Sequence, residues 1–417
     1  MEKILARLPK RLTISFPLWL IYGTKGENSP YYDIEKVIRE HKERGFNCIR
    51  IDSGVGLIHD QNGKLRGPFD IADNFGKYER VPRQFGIVGD GGECDLLGRL
   101  LETLEACKKH GVYVILSSWY YLHTYWFHKA GDPVCGELFA IPYGERFDAF
   151  RKFWHYLLLE LESRGLTEQV VFVELFNEAN DHPYLCGDPD WGGCANISDE
   201  ETLFYKKQHE AALAWLQKEH PDFLFAYDVS NTKRAKENMP DNAQIFNFHS
   251  YYLWSVYNEV VAEHPEWFRN AVTPEMVAET RTGRLPAAQG WYDRVAKYTD
   301  LDTVNMRAFE AALEEKFLEK REKYAENREK KLRKALEYAE GRMPVVCGEG
   351  VSYIAAKALQ WEEKSENYWQ FVKDGLRLYK EAGLWGTVIR TCCGPEDPCW
   401  YAYAHKLLEL NTFFLAE

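Results

Sequence analysis

The feature that most constrains the fold is an alternation of strand-like and helix-like segments along nearly the whole chain. Short runs rich in Val, Ile, Phe and Tyr alternate with longer segments whose apolar residues recur at helical spacing. Eight strand-like runs occur, at residues 12–21, 46–52, 112–119, 170–178, 223–231, 244–252, 344–350 and 386–392. Eight buried strands that alternate with helices are the pattern of an α/β protein of the (β/α)8 type, the TIM barrel. We therefore predict a single TIM-barrel domain that spans residues 1–417.

The first strand has an alternative interpretation as a secretory signal peptide. Basic residues between Lys3 and Arg11 precede the apolar run that ends at Tyr22, but no small-x-small cleavage site follows it. Without this run only seven strands would remain, so we assign residues 12–21 to the barrel and expect a cytoplasmic protein. The ten cysteines lack the paired C-x-x-C spacing of a zinc site, and we expect no bound metal and no cofactor.

One segment, residues 253–340, interrupts the alternation between the sixth and seventh strands. Its first part, residues 253–303, is irregular and aromatic, whereas residues 304–340 have the pattern of a long helix. The stretch EKREKYAENREKK within this helix is heavily charged, with opposite charges four residues apart. We expect a solvated helix here, and the alternatives are an active-site lid or a contact between copies in a homo-oligomer.

Composition and charge narrow the class of partner. The net charge is −12, from 52 Lys and Arg against 64 Asp and Glu, which argues against nucleic acid and against an anionic membrane surface. No window of 18 or more apolar residues predicts a membrane-spanning helix. The 13 Trp and 25 Tyr favour either a ligand that stacks on aromatic rings, such as a sugar, or a large aromatic core.

Polar and aromatic side chains occur where the predicted strands end. The active site of a TIM barrel lies at the carboxyl ends of its strands. Ten residues are expected there: Trp19, Arg50, Asp52, Trp119, Asn177, Glu178, Asp228, His249, Tyr251 and Glu349. Among them, Glu178 and Glu349 end the fourth and seventh strands, nearly opposite each other across the barrel mouth. Glycoside hydrolysis uses such a pair, one carboxyl group as proton donor and the other as nucleophile or as base for water.

Four short motifs at these strand ends resemble those of clan A glycoside hydrolases, and most closely the cellulase-type enzymes of glycoside hydrolase family 5. FNCIRID resembles the second strand of that family, and VELFNEAN resembles the Asn-Glu motif after its fourth strand. FNFHSYY resembles a His-x-Tyr pattern after the sixth strand, and PVVCGEG resembles the seventh strand with its glutamate. The resemblance covers the barrel in strand order, and it implies a carbohydrate substrate.

The resemblance also implies a role for individual residues. Glu178 would be the acid/base and Glu349 the nucleophile of a retaining enzyme that cleaves β-linked sugars. Asn177 would contact the sugar 2-hydroxyl, and Arg50 would hold Glu349. Tyr251 would also hold Glu349, while His249 would line the sugar site. The remaining strand-end residues are expected to bind substrate: Trp19, Asp52, Trp119 and Asp228.

Strand eight departs from the family pattern. Related enzymes commonly offer a tryptophan platform there, whereas this chain has Arg390 followed by Cys392 and Cys393. This departure argues for short oligosaccharides or glycosides as substrates rather than polymeric cellulose. The aromatic stretch SSWYYLHTYWFH at residues 117–128 is expected either to stack on sugar or to pack on the barrel rim. Long insertions after strands two, three and six favour a closed pocket and exo-action.

Two other classes of protein fit parts of the sequence. A metal-dependent hydrolase on this barrel would need a His-x-His pair at the end of the first strand, and that strand has no histidine. A barrel that binds sugar without cleaving it would match the same motifs. Inert relatives usually lose one of the two carboxylates, and both are present here.

Overall fold

The structure is a computed structural model, in which ten strands and thirteen helices are described. The described residues are 1–23, 30–71, 92–119, 133–179, 198–230, 235–251, 253–264, 267, 306–350, 360–391, 393–395, 397 and 399–416. The strands are β1 Leu12–Ser15, β2 Cys48–Asp52, β3 Phe69–Ile71, β4 Gly92–Cys94, β5 Tyr113–Ser117, β6 Val170–Glu174, β7 Phe225–Val229, β8 Ile245–Ser250, β9 Val345–Gly350 and β10 Gly386–Val388.

Within the described residues, thirteen α-helices, besides three short 3-10 helices, precede, connect and follow the strands. They are α1 Glu2–Leu5, α2 Ile34–Glu43, α3 Leu96–His110, α4 Pro133–Ala140, α5 Arg146–Ser163, α6 Asp199–Glu219, α7 Ala235–Asn238, α8 Trp254–Glu263, α9 Met306–Ala339, α10 Trp361–Lys364, α11 Glu366–Glu381, α12 Cys399–Ala402 and α13 Ala404–Leu415. Local chemistry explains several ends. Asp33 accepts a hydrogen bond from the Lys36 amide at 2.8 Å, and a capping box of Ser198 and Glu201 begins α6.

Eight of the strands form a closed parallel barrel in the order β1-β10-β9-β8-β7-β6-β5-β2. This arrangement confirms the predicted TIM barrel. The strands β3 and β4 form a separate antiparallel hairpin inside the connection that follows β2, and the sequence did not predict it. The first and last barrel strands are shorter than predicted, since β1 ends at Ser15 and β10 ends at Val388.

The amino-terminal segment closes the bottom of the barrel, opposite to the carboxyl ends of the strands. Ile4 and Leu8 are buried in one apolar cluster with residues of the barrel interior. The barrel residues of this cluster are Leu12, Ile14, Cys48, Ile115, Val171, Phe172, Leu224, Ala226, Ile245, Val346 and Val388. The indole nitrogen of Trp385 holds the segment from below by donating to the carbonyl oxygen of Pro9 at 2.9 Å.

The long helix α9 lies between β8 and β9, which are the sixth and seventh strands of the barrel because β3 and β4 stand outside it. The expected solvated helix is only half right. One side of α9 is exposed, but the other packs against α8, α11 and β8. Its buried apolar side chains are Phe309, Leu313, Phe317, Tyr324, Leu332, Ala335 and Ala339, and Arg328 is buried as well. The helix therefore belongs to the outer helical layer of the barrel, and the predicted oligomer contact through it stays a prediction.

Among the residues that the structure describes, no helix has the length and apolar character needed to cross a membrane. In the irregular part of the insertion, residues 253–303, the structure describes only residues 253–264 and 267. Most of this insertion, which is expected to help close a pocket, therefore lies outside the described residues.

Candidate active site

The polar residues at the top of the barrel lie on inward-facing positions of neighbouring strands. Side chains in a strand alternate between its two faces, so residues two apart point the same way. In β8 and just beyond it, Asn247, His249 and Tyr251 share one face, and all three bond to carboxylates. Glu174 at the end of β6 contacts two of the same partners as Asp228 of β7, Arg50 and Asn247. The candidate site is therefore built from strand ends around the barrel.

Arg50 is at the centre of this arrangement and is fully buried. Its Nη1 donates to Glu349 Oε1 at 2.5 Å. Its Nη2 lies 2.7 Å from Asn177 Oδ1, 2.8 Å from Asp228 Oδ2 and 2.7 Å from Glu174 Oε2. Burial opposes the charged form of Arg50, but its three carboxylate neighbours raise its pKa well above the ordinary value. One guanidinium thus joins four strands and holds both a carboxylate and an amide of the predicted site.

The guanidinium also lies over aromatic rings. The Arg50 carbon Cζ is 4.4 Å from the centre of the Trp119 ring and 5.1 Å from that of Phe16. Asp52 holds the backbone of this ring in place by accepting a hydrogen bond from the Trp119 amide at 3.0 Å. Asp52 also accepts from the Tyr22 hydroxyl at 2.9 Å. These contacts anchor the loops around the site.

Glu349 is held by two neighbours that the resemblance implies. Besides Arg50, the Tyr251 hydroxyl donates to Glu349 Oε2 at 2.7 Å. The Nε2 atom of His249 lies 3.6 Å from Glu349 Oε1. The Glu349 side chain is only 5% exposed, so donors from the protein solvate its carboxylate in place of water.

Glu178 has an unusual backbone conformation. Its φ is +50°, in the left-handed region that few residues other than glycine adopt. The Glu178 amide donates to Asp228 Oδ1 at 3.0 Å, which stabilises this turn. The carboxylate accepts a hydrogen bond from His249 Nδ1 at 2.7 Å, and the side chain remains 24% exposed. Strain of this kind often occurs where a side chain is aimed for function.

His249 lies between the two glutamates. Its Nδ1 bonds to Glu178 and its Nε2 lies 3.1 Å from Asp228 Oδ2. Burial works against protonation, but the charges of Asp228 and Glu349 and the hydrogen bonds raise the pKa of His249 well above its ordinary value. His249 and Arg50 in turn lower the pKa of Asp228 in spite of its burial. Both ring nitrogens therefore face carboxylate oxygens, and this arrangement favours the protonated ring.

Three of these residues could be considered as metal ligands. Glu178, His249 and Glu349 each have a potential ligand atom within 4.8 Å of the other two. A histidine binds a metal through an unprotonated nitrogen, whereas both nitrogens of His249 face carboxylates that favour the protonated ring. The chemistry of this trio fits an acid–base site better than a metal site.

Two buried residues of the site were missed by sequence reasoning. Glu174 is fully buried, and Arg50 donates to it from Nε at 3.0 Å. Asn247 donates to Glu174 Oε1 at 2.6 Å and to Asp228 Oδ2 at 2.8 Å. Burial raises the pKa of Glu174 to about 7, although Arg50 acts in the opposite direction. The available signal was the alternation of polar residues within apolar strands, at positions 174 and 178 and at positions 247, 249 and 251.

The structure brings the predicted residues together, but it buries several of them below the others. Asp52 and Asp228 are buried and bonded to protein groups, and Trp19 and Trp119 are buried as well. The contacts of these four residues with substrate stay predictions. Of the aromatic stretch 117–128, only residues 117–119 are described, and the rest lies outside the described residues.

The eighth barrel strand, β10, is followed by a second cluster of buried charged residues. Arg390 Nη2 lies 2.9 Å from Glu363 Oε1, 3.2 Å from Asp397 Oδ2 and 3.3 Å from Glu362 Oε2. All four side chains are buried. An arginine bonded to its own acidic neighbours thus lies just after β10, near where related enzymes commonly have a tryptophan.

The barrel and the site together define a class of protein. A closed eight-stranded parallel barrel, with Glu178 after its fourth strand and Glu349 in its seventh, is a clan A-like glycoside hydrolase fold. A family model described as sugar-binding cellulase-like matches residues 18–411. The chain therefore belongs to this cellulase-like family, as the resemblance of its strand-end motifs indicates.

Solved structures show the same fold at low sequence identity. A candidate glycoside hydrolase from Parabacteroides distasonis ATCC 8503 has a TM-score of 0.65 and 18% identity, with 98% of this chain and 94% of that chain covered. A GH5-4 broad specificity endoglucanase from Clostridium longisporum has a TM-score of 0.50 and 13% identity, with 99% and 98% covered. No curated protein matches the chain significantly. At these identities the likeness establishes the fold alone, whereas the chemistry depends on the residues of the site.

Proposed function

We propose that this protein is a retaining β-glycosidase that hydrolyses short oligosaccharides or glycosides. The spacing of the two glutamates carries the proposal, because a carboxylate oxygen of Glu178 lies within 4.8 Å of one of Glu349. Retaining glycosidases hold their carboxyl groups about 5–5.5 Å apart, whereas inverting enzymes leave roughly 6.5–9.5 Å for a water molecule. The short spacing supports double displacement.

The surroundings of the two glutamates match two different roles. Glu349 accepts hydrogen bonds from Arg50 and Tyr251, which fix the position of its carboxylate, as a nucleophile needs. Glu178 is more exposed than Glu349 and accepts a hydrogen bond at Oε1 from His249, which suits a group that exchanges protons with the substrate and with water. The environments differ as the mechanism requires.

The reaction then proceeds in two steps. Glu178 gives its proton to the glycosidic oxygen while Glu349 attacks the anomeric carbon, so the leaving group departs as an alcohol and a glycosyl ester forms on Glu349. Water next attacks the same anomeric carbon, displaces the Glu349 carboxylate and loses a proton to Glu178, which regenerates both carboxyl groups. The hydrogen bond between His249 Nδ1 and Glu178 Oε1 keeps Glu178 oriented.

The segment that follows the eighth barrel strand, β10, supports a short substrate. Arg390 is buried among its acidic partners and offers no flat ring to a sugar. A site without that platform is suited to a short glycoside held mainly by hydrogen bonds rather than to a stacked polymer chain.

The test is hydrolysis of a panel of aryl β-glycosides by wild type, Glu178→Ala and Glu349→Ala, with the exposed Glu102→Ala as control. We expect kcat of each active-site variant to fall by at least about 100-fold for its best substrate. Azide should rescue both, giving a β-glycosyl azide with Glu178→Ala and an α-glycosyl azide with Glu349→Ala. Products of the same configuration from both variants would contradict the assigned roles.

The second candidate is a barrel that binds sugar without cleaving it, and the description of the matched family as sugar-binding favours it. Calorimetric titration with the same sugars distinguishes the two. Binding by wild type, combined with no hydrolysis of any glycoside in the panel, would support this second function.

A further inference from the structure

The long helix α9 reaches the active site through one lysine. The Nζ atom of Lys331 donates to the carbonyl oxygen of Tyr251 at 3.2 Å. Lys331 is partly buried, whereas the preceding residue, Lys330, is exposed. The next residue, Leu332, is buried in the core and fixes the rotation of the helix at this point. Within the charged stretch, Arg328 is buried and donates to the carbonyl oxygen of Phe371. Lys331 points inward as well, and it bonds to a residue of the active site.

The contact falls where the strand ladder ends. The last paired residues of β8 and β9 are Ser250 and Gly350, so Tyr251 is one residue beyond the register. A backbone carbonyl near a buried site requires a donor, and a charged donor forms one of the stronger hydrogen bonds available in a protein. Lys331 supplies such a donor at this position.

Tyr251 is also one of the two residues that hold Glu349. Its hydroxyl donates to Glu349 Oε2 at 2.7 Å, while its carbonyl accepts from Lys331. The ring thus connects the helix to the carboxylate. A change at the carbonyl rotates or shifts the ring, and with it the hydroxyl.

The ammonium group of Lys331 also interacts electrostatically with Glu178 of the site. Burial lowers the pKa of its ammonium, while Cys347 and Glu178 act in the opposite direction. Other cations of the helix bond away from the site, as Lys316 does to Glu263 and Arg328 does to the Phe371 carbonyl oxygen.

We propose that Lys331 is a positioning residue of the active site, which holds Tyr251 by its backbone carbonyl so that the Tyr251 hydroxyl stays on Glu349. The proposal rests on the function proposed above, in which Glu349 is the nucleophile. It assigns to the insertion helix a part in the reaction, although no residue of that helix needs to touch the sugar.

Steady-state kinetics of three variants test this. Lys331→Met keeps the length of the side chain and loses the donor, Lys331→Arg keeps a donor, and Lys330→Met is the matched control on the exposed side. For Lys331→Met we expect kcat to fall roughly tenfold to 100-fold with KM nearly unchanged, because small displacements of catalytic groups have effects of this size. Lys331→Arg should recover most of the loss, and Lys330→Met should match wild type. An equal loss in Lys330→Met, or no loss in Lys331→Met, overturns the proposal.

A double-mutant cycle with Tyr251→Phe asks whether Lys331 acts through this tyrosine. Once the hydroxyl is absent, its position no longer matters, so Lys331→Met should cause no further loss in kcat. Losses that multiply would mean that Lys331 acts by another route, and the proposal would be wrong.

A spectroscopic measurement separates this proposal from the proposed function. 3-Fluorotyrosine placed at position 251 gives one ¹⁹F resonance, which should shift in Lys331→Met and stay unchanged in Lys330→Met. If wild type cleaves no glycoside and the resonance still shifts, the proposed function fails while the positioning role stands. An unchanged resonance overturns the positioning role whatever the activity. Should Lys331→Met not fold, Lys331→Leu, which also lacks a donor, replaces it, with the same outcomes.

Discussion

At the scale of single residues, charge balance within the barrel decides what the site can do. Glu174, Asp228 and Glu349 all contact Arg50, and a single guanidinium cannot neutralise three carboxylates. His249 supplies a second positive charge. The remaining excess of negative charge, together with complete burial, is the physical reason why the pKa of Glu174 is raised to about 7.

The variant Glu174→Gln tests this balance through pH. A carboxyl group whose pKa is about 7 in the folded state and near 4.5 when unfolded binds more protons when folded, so stability falls as pH rises through this window. Glutamine resembles the protonated group and does not titrate. The free energy of unfolding of Glu174→Gln minus that of wild type should therefore become more positive as pH rises from 4.5 to 7. The increase should be at most about 1.4 kcal/mol per pH unit.

Urea unfolding at pH 5, 6 and 7 measures this difference, with the exposed Glu102→Gln as control. The difference between Glu102→Gln and wild type should not follow the same trend. The difference in free energy of unfolding between Glu174→Gln and wild type could instead stay constant with pH or change in the other direction. Either result would contradict a raised pKa of Glu174.

At the scale of elements, the pairing of β8 with β9 aligns the site. The register shifts between Phe248 and His249, after which His249 pairs with Glu349. Gly348 lies at this irregularity, directly against the side chain of Asn247. The absence of a side chain at Gly348 allows Asn247 to reach both Glu174 and Asp228.

The variant Gly348→Ala tests whether that space is required. A Cβ atom at this position would lie 2.8 Å from Asn247 Cγ and closer still to both amide heavy atoms, so Asn247 must move away from its carboxylate partners. We expect a loss of about 1–3 kcal/mol in the free energy of unfolding and a clear fall in kcat. Gly136→Ala is the matched control, because its Cβ would meet no atom within 4 Å. Thermal and urea unfolding with a kinetic assay give both readouts, and a fully active, stable Gly348→Ala would refute the packing argument.

At the scale of the whole molecule, the two ends of the barrel divide stability and function between them. The bottom is apolar and sealed by Ile4 and Leu8 of the amino-terminal segment. The top carries the charges, one strained residue in Glu178, and the exposed part of the site. Buried apolar surface at the bottom offsets the free energy that charged groups cost at the top.

The variant Leu8→Ala tests whether the two ends of the barrel contribute separately to stability and to activity. Removing a buried leucine side chain should lower the free energy of unfolding by roughly 2–3 kcal/mol, near the lower limit for such sites because Leu8 is 7% exposed. Activity of the folded protein at low temperature should not change, since the residue lies at the opposite end from Glu178 and Glu349. Leu318→Ala, on the exposed side of α9, is the control and should have little effect on stability. A large loss of activity in stable Leu8→Ala would contradict this division.

Much of this protein could be predicted from the sequence because the relevant signals are local. Eight apolar runs separated by helical patterns indicated the barrel, and Ser198 with Glu201 indicated the beginning of α6. Glu178 and Glu349 stood out because carboxylates are rarely placed at the ends of such apolar strands. Each of these signals depends on residues within a few positions of one another, or on a fold rule that places strand ends together.

Other features were decided only by the tertiary structure, because they depend on distances between residues far apart in the chain. The buried side of α9 was hidden by a heavily charged sequence, and the roles of Glu174 and Asn247 follow from each other and from partners on two other strands. No local pattern could give the separation of Glu178 from Glu349 or the reach of Lys331 to Tyr251. The sequence by itself determined the order of strands and helices and which side chains face the barrel mouth. The spacing of charges there follows from how the closed barrel brings its strands together, since electrostatic interactions depend on distance and burial.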